Sequence, residues 1–203
     1  MFHYYIFVSS FLLFSRYAFY KDIHNFEDTT IILEKYEKAI RLSLFNIILV
    51  SYLVFYCFEH YIYTPVYRDL NILESIEHII ISNIVGQVLF YTFHRLFHNV
   101  PRLQQLHKVH HEYRIPIGIQ AAYSHPIDFV FGNMVPLTIV PYILEMNAYL
   151  LPFLIILGIY KTVLVDHSDY SDDRKHHINH HKYYNCNYGD KWIDQILNTC
   201  NDI

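Results

Sequence analysis

The chain has 203 residues, 15 Lys+Arg against 19 Asp+Glu for a formal net charge of −4, and 15 histidines. Only 17% of the residues are charged and 53% are hydrophobic, with 20 Tyr and 15 Phe, which excludes a disordered chain and leaves room for one compact unit. Lys and Arg form no run, which argues against a nucleic-acid surface, and Cys57, Cys186 and Cys200 lack any CxxC spacing, which argues against a disulfide scaffold or a thiolate zinc site.

Five stretches carry no Asp, Glu, Lys or Arg: residues 1–15, Leu42–Phe58, Ile79–Phe93, Phe129–Leu144 and Met146–Tyr160. Each is short of, or at the lower limit of, the roughly 17–25 residues of a spanning helix, and flanking Tyr, Phe and His residues extend it into the interface. The first is read as an anchor, because no small-residue cleavage site follows it. Arg16, Lys21, Lys35, Lys38 and Arg41 lie between the first and second stretches, whereas residues 59–78 hold only Arg68 against Glu59, Asp69, Glu74 and Glu77. The third stretch is followed by Arg95, Arg102, Lys108 and Arg114. The last two are separated by Glu145 alone and read as a hairpin turning near Glu145–Asn147, bent by Pro136, Pro141 and Pro152. Lys161, Arg174, Lys175, Lys182 and Lys191 come after it. Basic residues therefore gather on one side, which the positive-inside rule makes cytoplasmic. The expected fold is all-α, an integral membrane helical bundle of four to five transmembrane helices with a cytosolic histidine-rich metal site. Residues 1–74 read as anchor helices and connector, and residues 75–203 as the domain that holds both histidine-rich segments.

Eleven of the 15 histidines fall in residues 94–125 and 167–181. His94-Arg-Leu-Phe-His98 opens the first window, and its i, i+4 pair shares one helix face. Pro101 breaks that helix. His107-Lys-Val-His110-His111 repeats the placement at i, i+3 and i+4, and His125-Pro-Ile-Asp128 starts the next membrane helix, with Pro126 suited to its first turn. Asp166-His167-Ser-Asp169-Tyr170 follows the hairpin, and His176-His177-Ile-Asn-His180-His181 repeats the HxxHH spacing. So many imidazoles together would repel if protonated and are hard to satisfy if buried without a metal. Imidazole without thiolate suits Zn, Cu, Fe or Ni, and nine or ten ligands exceed the needs of one ion. A dinuclear zinc hydrolase would draw bridging carboxylates from Asp128, Asp166 or Asp169; an oxygen-activating iron pair suits a histidine-dominated membrane set better. His3, His24, His60 and His78 have no ligand-like spacing, and His60 and His78 read as interface residues on the opposite side.

The ordered set HRLFH (94–98), HKVHH (107–111), AYSHPID (122–128), VDHSDY (165–170) and HHINHH (176–181) resembles the fatty acid hydroxylase/sterol desaturase superfamily over roughly residues 75–199. VDHSDY is similar to the DHSGY segment of cholesterol 25-hydroxylases and the SHSGY of sterol C4-methyl oxidases, and NCNYG (185–189) with IDQILNT (193–199) to the 25-hydroxylase ending. Asp169 replaces a Gly of that pattern, Trp192 stands one position early, Asn198 replaces another Gly, and the spacer 171–175 is much shorter than in those sterol enzymes. The resemblance implies a di-iron enzyme that uses O2 to hydroxylate a lipid C–H bond, with a sterol as favoured substrate. Its alternatives are a sterol desaturase, a fatty acid or sphingoid hydroxylase, and a non-catalytic metal-binding homologue. The metal ligands expected are His94, His98, His107, His110, His111, His177, His180 and His181, then His125 and His167, with His176 the member of the cluster that does not ligate. Asp128, Asp166 and Asp169 are expected to hold ligating imidazoles through their second nitrogens. No GxGxxG is present, so electrons from NAD(P)H would arrive through cytochrome b5 or a reductase, docked on residues such as Arg95, Lys108, Arg114, Lys175 and Lys182. The family location implied is the endoplasmic reticulum.

Overall fold

The computed structural model describes residues 1–25, 28–62, 66–168 and 176–201. Its helices are α1 (Phe2–Asn25), α2 (Thr29–Ile62), α3 (Ile72–Asn99), α4 (Pro101–His107), α5 (Pro126–Ile143), α6 (Leu151–Tyr160, running on through the wide turn Lys161–Asp166), α7 (His176–Tyr183) and α8 (Lys191–Ile196). No strand occurs among the described residues; Val66 and Asn147 form one isolated bridge.

Local chemistry sets the helix boundaries. Asp28 caps α2 by accepting from the Thr30 N–H at 2.9 Å, and Asn71 caps α3 through the N–H groups of Leu73 and Glu74, each satisfying donors that a helix start leaves orphaned. Pro101, Pro126 and Pro152 stand in the first turns of α4, α5 and α6, where a missing N–H costs nothing. The turn between α5 and α6 falls where Glu145 was expected to place it, with Glu145 itself at φ 45°.

By length and composition, α2, α3 and α5 are the three described helices that can cross a membrane. The first and last stretches, which would complete the expected four to five, fall outside those length and composition limits. Both are helical, but α1 carries His3, Ser9, Ser10, Ser15 and Arg16 along its length, which dilutes its apolar character. The ten residues of α6 plus the six of its wide turn fall below the roughly 20 of a span. Leu53 on α2 and Ile76, Ile80 and Ile84 on α3 point outward, each about half exposed, as side chains facing hydrocarbon do.

α1 packs along α6, and both pack on α2 and α5 through Phe7, Phe11, Phe55, Phe129, Ile155 and Ile159. The 118–122 turn crosses α1 so closely that a Cβ on Gly118 would overlap the Cβ of Ala18, which only glycine avoids. Asn46, fully buried in α2, donates to the carbonyls of Ala122 (2.9 Å) and Ser124 (2.8 Å). At one end of the bundle His3 bonds Glu59 and the Ala148 carbonyl, and Asn147 bonds the Arg68 carbonyl. At the other end Asp22 meets Tyr36, Gly118 and Ser168, and there the histidines gather.

Candidate metal centre

Nine imidazoles from four segments converge at that end. His94 and His98 stand one turn apart near the end of α3; His107 ends α4, and His110 and His111 lie on the short turn that follows it. His167 comes directly after the wide turn of α6, and α7 supplies His177, His180 and His181. All are buried except His111, which is partly so. They form two groups, His94–His98–His107–His111–His180 and His110–His167–His177–His181, each with one ligand atom per residue and all such atoms within 4.8 Å of one another. The groups adjoin: His111 and His181 rings are 4.6 Å apart, and His177 and His180 rings 5.2 Å.

The two HxxHH segments divide in the same way. The i, i+4 pair His107/His111 joins the first group while His110 crosses to the second; the i, i+4 pair His177/His181 joins the second while His180 crosses to the first. Residues four apart share a helix face, and the residue at i+3 is turned away from both by a fraction of a turn.

Hydrogen bonds at the far nitrogens set which atoms face inward. Nδ1 of His94 donates to the Tyr188 carbonyl (2.6 Å), that of His180 to the Cys186 carbonyl (2.6 Å), that of His167 to the Thr162 carbonyl (2.7 Å) and that of His110 to the Tyr123 carbonyl (3.4 Å). His107 Nδ1 meets Asp128 Oδ2 at 2.8 Å. A carbonyl accepts only, so these rings carry the proton on Nδ1 and turn an Nε2 lone pair inward. His110 and His167 Nε2 then face each other at 3.4 Å, and His111 Nε2 lies 3.1 Å from His107 Nε2 and 3.0 Å from His180 Nε2. One proton on His111 can bridge only one of its two neighbours. His94 Nε2 and both ring nitrogens of His98 and His181 are buried without a hydrogen-bond partner.

Such orphaned lone pairs are costly, and a cation between them removes the cost. Two nitrogens bound at about 2.1 Å to one ion, at about 90–110° to each other, stand roughly 3.0–3.4 Å apart. The observed separations match, so the donor set fits metal ions. Burial, the leading cause in each case, pushes His110, His111, His177, His180 and His181 well below the usual imidazole range and takes His167 to about 4, leaving these rings neutral and ready to ligate at pH 7.

Of the expected site residues, nine histidines come together and His125 does not. Its Nδ1 accepts from the Ile127 N–H at 3.2 Å and caps α5, because Pro126 starts the helix at once and leaves the ring beside the first turn. Asp128 meets His107 as expected. Asp166 does not hold an imidazole: it pairs with Lys161 at 2.9 Å, and Lys161 pairs with Asp190 at 2.7 Å, since the wide turn aims Asp166 back along α6. Asp169 and the short spacer 171–175 lie outside the described residues. His176 stands apart from both groups, on Asp194 at 3.0 Å. His24 and His60 bond carbonyls one turn back in their own helices.

Sequence reasoning missed Asp194. Fully buried in α8, it accepts from the Tyr188 N–H (2.9 Å), the Gly189 N–H (2.9 Å), Thr199 Oγ1 (2.7 Å) and His176. It thereby fixes the 186–189 segment whose carbonyls hold His180 and His94. The juxtaposition of NCNYG and IDQILNT was the available signal; the carbonyls themselves leave none.

An apolar cavity of about 300 Å3 runs between α1, α3, α5 and α6 and ends at Lys161, Thr162, Asp166 and Asp190. A second void of about 20 Å3 reaches His94, His107, His110, His167 and His177 and shares the walls Phe90, Gly132, Asn133, Thr162 and Asp166 with the first. A thin layer of side chains thus separates the cavity from the histidines.

A family model described as fatty acid hydroxylase matches residues 79–199. Fatty acid hydroxylase domain-containing protein 2 of Macaca fascicularis is 31% identical over 162 residues, covering 76% of this chain and 49% of that protein. Methylsterol monooxygenase 1 of Rattus norvegicus is 30% identical over 131 residues, 57% of this chain and 44% of that protein. Delta(7)-sterol 5(6)-desaturase ERG3B of Gibberella zeae is 30% identical over 115 residues, 51% of this chain and 35% of that protein. The chain spans about half the length of the fatty acid hydroxylase domain-containing relatives it matches. No solved structure matches.

Proposed function

Because the chain belongs to the fatty acid hydroxylase family, we propose that it is a multi-pass membrane oxidoreductase that uses O2 to hydroxylate a C–H bond of a lipid, with a sterol as favoured substrate. The observation that carries this reading is the junction of two histidine groups with an apolar cavity. His94, His98, His107, His111 and His180 would hold one iron ion, and His110, His167, His177 and His181 the other. Iron held there would supply dioxygen reduction with two external electrons, one oxygen atom entering the C–H bond and the other leaving as water.

The chain's own residues do the rest. Asp128 and the carbonyls of Tyr188, Cys186, Thr162 and Tyr123 fix ring orientation and keep each proton on the outer nitrogen. The cavity walls Phe7, Phe11, Phe90, Phe129 and Leu157 exclude water and receive the hydrocarbon body, and the thin layer at Phe90 and Thr162 brings the oxidised carbon close to the histidines. NAD(P)H electrons would pass through cytochrome b5 or a reductase docked on the basic residues around the histidine end. The positive-inside pattern supports a cytosolic place for that end, and the sterol enzymes among the relatives favour the endoplasmic reticulum. In this reading residues 1–74 are the anchor helices and connector, and residues 75–203 carry the chemistry.

A desaturase reading draws on the Gibberella zeae relative and differs only in product. The test is mass spectrometry of sterols and acyl lipids from sterol-producing yeast membranes, comparing the protein with a His110→Ala/His111→Ala variant. A lipid heavier by one oxygen, absent from the variant, supports the hydroxylase; loss of two hydrogens moves the assignment to desaturase. Identical profiles, with the unsubstituted protein folded and iron-loaded, overturn both.

A further inference from the structure

The cavity carries a polar feature that an all-hydrocarbon ligand would leave unsatisfied. Ser82 of α3 lines it, is 6% exposed, and its Oγ has no hydrogen-bond partner. Serine and threonine in apolar helices ordinarily fold back onto a carbonyl of the preceding turn, as Thr92 does on Val88 (2.7 Å) and Thr138 on Met134 (2.8 Å). Ser82 does not. Asn83 and Gln87 on the same helix and Asn133 on α5 line the same space.

We infer that the lipid this cavity receives carries a neutral hydrogen-bonding group, a hydroxyl or a carbonyl, at the end remote from the histidines, and that Ser82 recognises it. The inference deepens the function proposed above and rests on its reading of the cavity as the substrate site. Position argues for the remote end. Twelve residues separate Ser82 from His94, about 18 Å of helix, so a ligand spanning the two is elongated. Charge argues for neutrality. The charged residues of the lining are Lys161, Asp166 and Asp190; all three stand at the histidine end, and Lys161 is ion-paired with both carboxylates. A carboxylate or phosphate at the Ser82 end would meet no cation in a low-dielectric site, where an unpaired charge is expensive. Shape is permissive: Gly86, Gly132 and Gly158, three of the five glycines in the chain, are in the lining, which leaves width for a fused-ring as well as a straight-chain body.

The test is equilibrium binding to the full chain in phosphatidylcholine nanodiscs without an electron donor, so that nothing turns over. Tritiated cholesterol and tritiated 1-octadecanol are the probes, with 3-deoxycholesterol, octadecane and octadecanoate as competitors. The expected result is that at least one hydroxyl-bearing probe binds about tenfold more tightly than its deoxy counterpart, and that octadecanoate competes poorly. Ser82→Ala should abolish that preference and Ser82→Thr retain it. Because Ser82 Oγ bonds nothing in the protein, Ser82→Ala should leave the melting temperature unchanged, which separates recognition from folding. The skeleton showing the preference identifies the source, ring or chain. Equal binding of hydroxylated and deoxy lipids, equal competition by the carboxylate, absence of lipid binding, or a preference surviving in Ser82→Ala each overturn the inference. Binding is read without turnover, so a hydroxyl preference with no oxidised product would sink the enzymatic reading alone, and an oxidised product with no preference would sink this one alone.

Discussion

Asp194 touches none of the nine clustered imidazoles, yet its removal should weaken iron binding by the protein. Its carboxylate takes two backbone N–H groups, one hydroxyl and the His176 ring, with no exposure to solvent. In Asp194→Ala the donors of Tyr188, Gly189 and Thr199 lose this acceptor while buried. At about 1–2 kcal/mol each, the loss is roughly 3–6 kcal/mol, against a typical total stability of about 5–15 kcal/mol. Asp194→Asn is the more informative variant, because one oxygen still accepts while the amide opposes the donors on the other, costing about half as much. The 186–189 segment would then shift, and with it the carbonyls that orient His94 and His180, one ligand pair of the first histidine group. Loss of an orienting partner typically lowers metal affinity about 10–100-fold. The assay is iron per chain by mass spectrometry together with a thermal melt, with His176→Ala as the control that removes an Asp194 partner without freeing the 186–189 segment. Asp194→Asn melting with the wild type and retaining its full iron content would refute the reasoning.

His125→Ala should keep its iron, losing only a helix cap worth about 1 kcal/mol, whereas His167→Ala should release metal from the second group; equal iron loss in the two variants would contradict the geometry. Asp22→Ala strips the acceptor from Tyr36, Gly118 and Ser168 and should cost about 3–6 kcal/mol, read as a lower melting temperature and looser iron, since Ser168 adjoins His167. Metal-stripped protein should be acid-labile. Burial sets six of the cluster histidines below their unfolded value near 6.5, His167 at about 4, so the fold binds fewer protons than the unfolded chain. Stability is then complete above about pH 6.5 and falls below it by up to about 1.4 kcal/mol per unit per histidine. Circular dichroism on the chelated protein should find a steep transition between pH 6.5 and 4, and a flat profile to pH 4 would contradict the neutral-imidazole reading.

The helices were legible because their signals are local and chemical. Uncharged stretches and the first-turn Pro126 announce the long helices without any tertiary information, whereas the caps Asp28 and Asn71 and the first-turn places of Pro101 and Pro152 emerged only in the structure. Spans were less legible, since α1 mixes Ser, His and Arg into an apolar run and α6 is cut short after a turn whose length depends on packing. The histidine set was legible from i, i+4 spacing, which survives whatever the loops do. What spacing alone does not give is Asp194, whose role arises because α8 folds back under the 186–189 segment, or Asp22, which lies far upstream of residues 79–199 and reaches Ser168 only through tertiary packing.

Spacing also leaves open which histidines group together, and the grouping in the structure bears on how the proposed two-ion centre would assemble. Each HxxHH segment gives its i, i+4 pair to one group and its remaining member to the other. A dinuclear site built from one segment per ion could load and lose its two ions independently. Here His110 and His180 are exchanged, so displacing either segment removes ligands from both groups at once: two from one and one from the other. Asp22, tied to Ser168, steadies the second group from α1, and Asp194 steadies the first from α8. The two carboxylates therefore brace opposite sides of a single coupled unit, and a fault at either side should be felt by both ions.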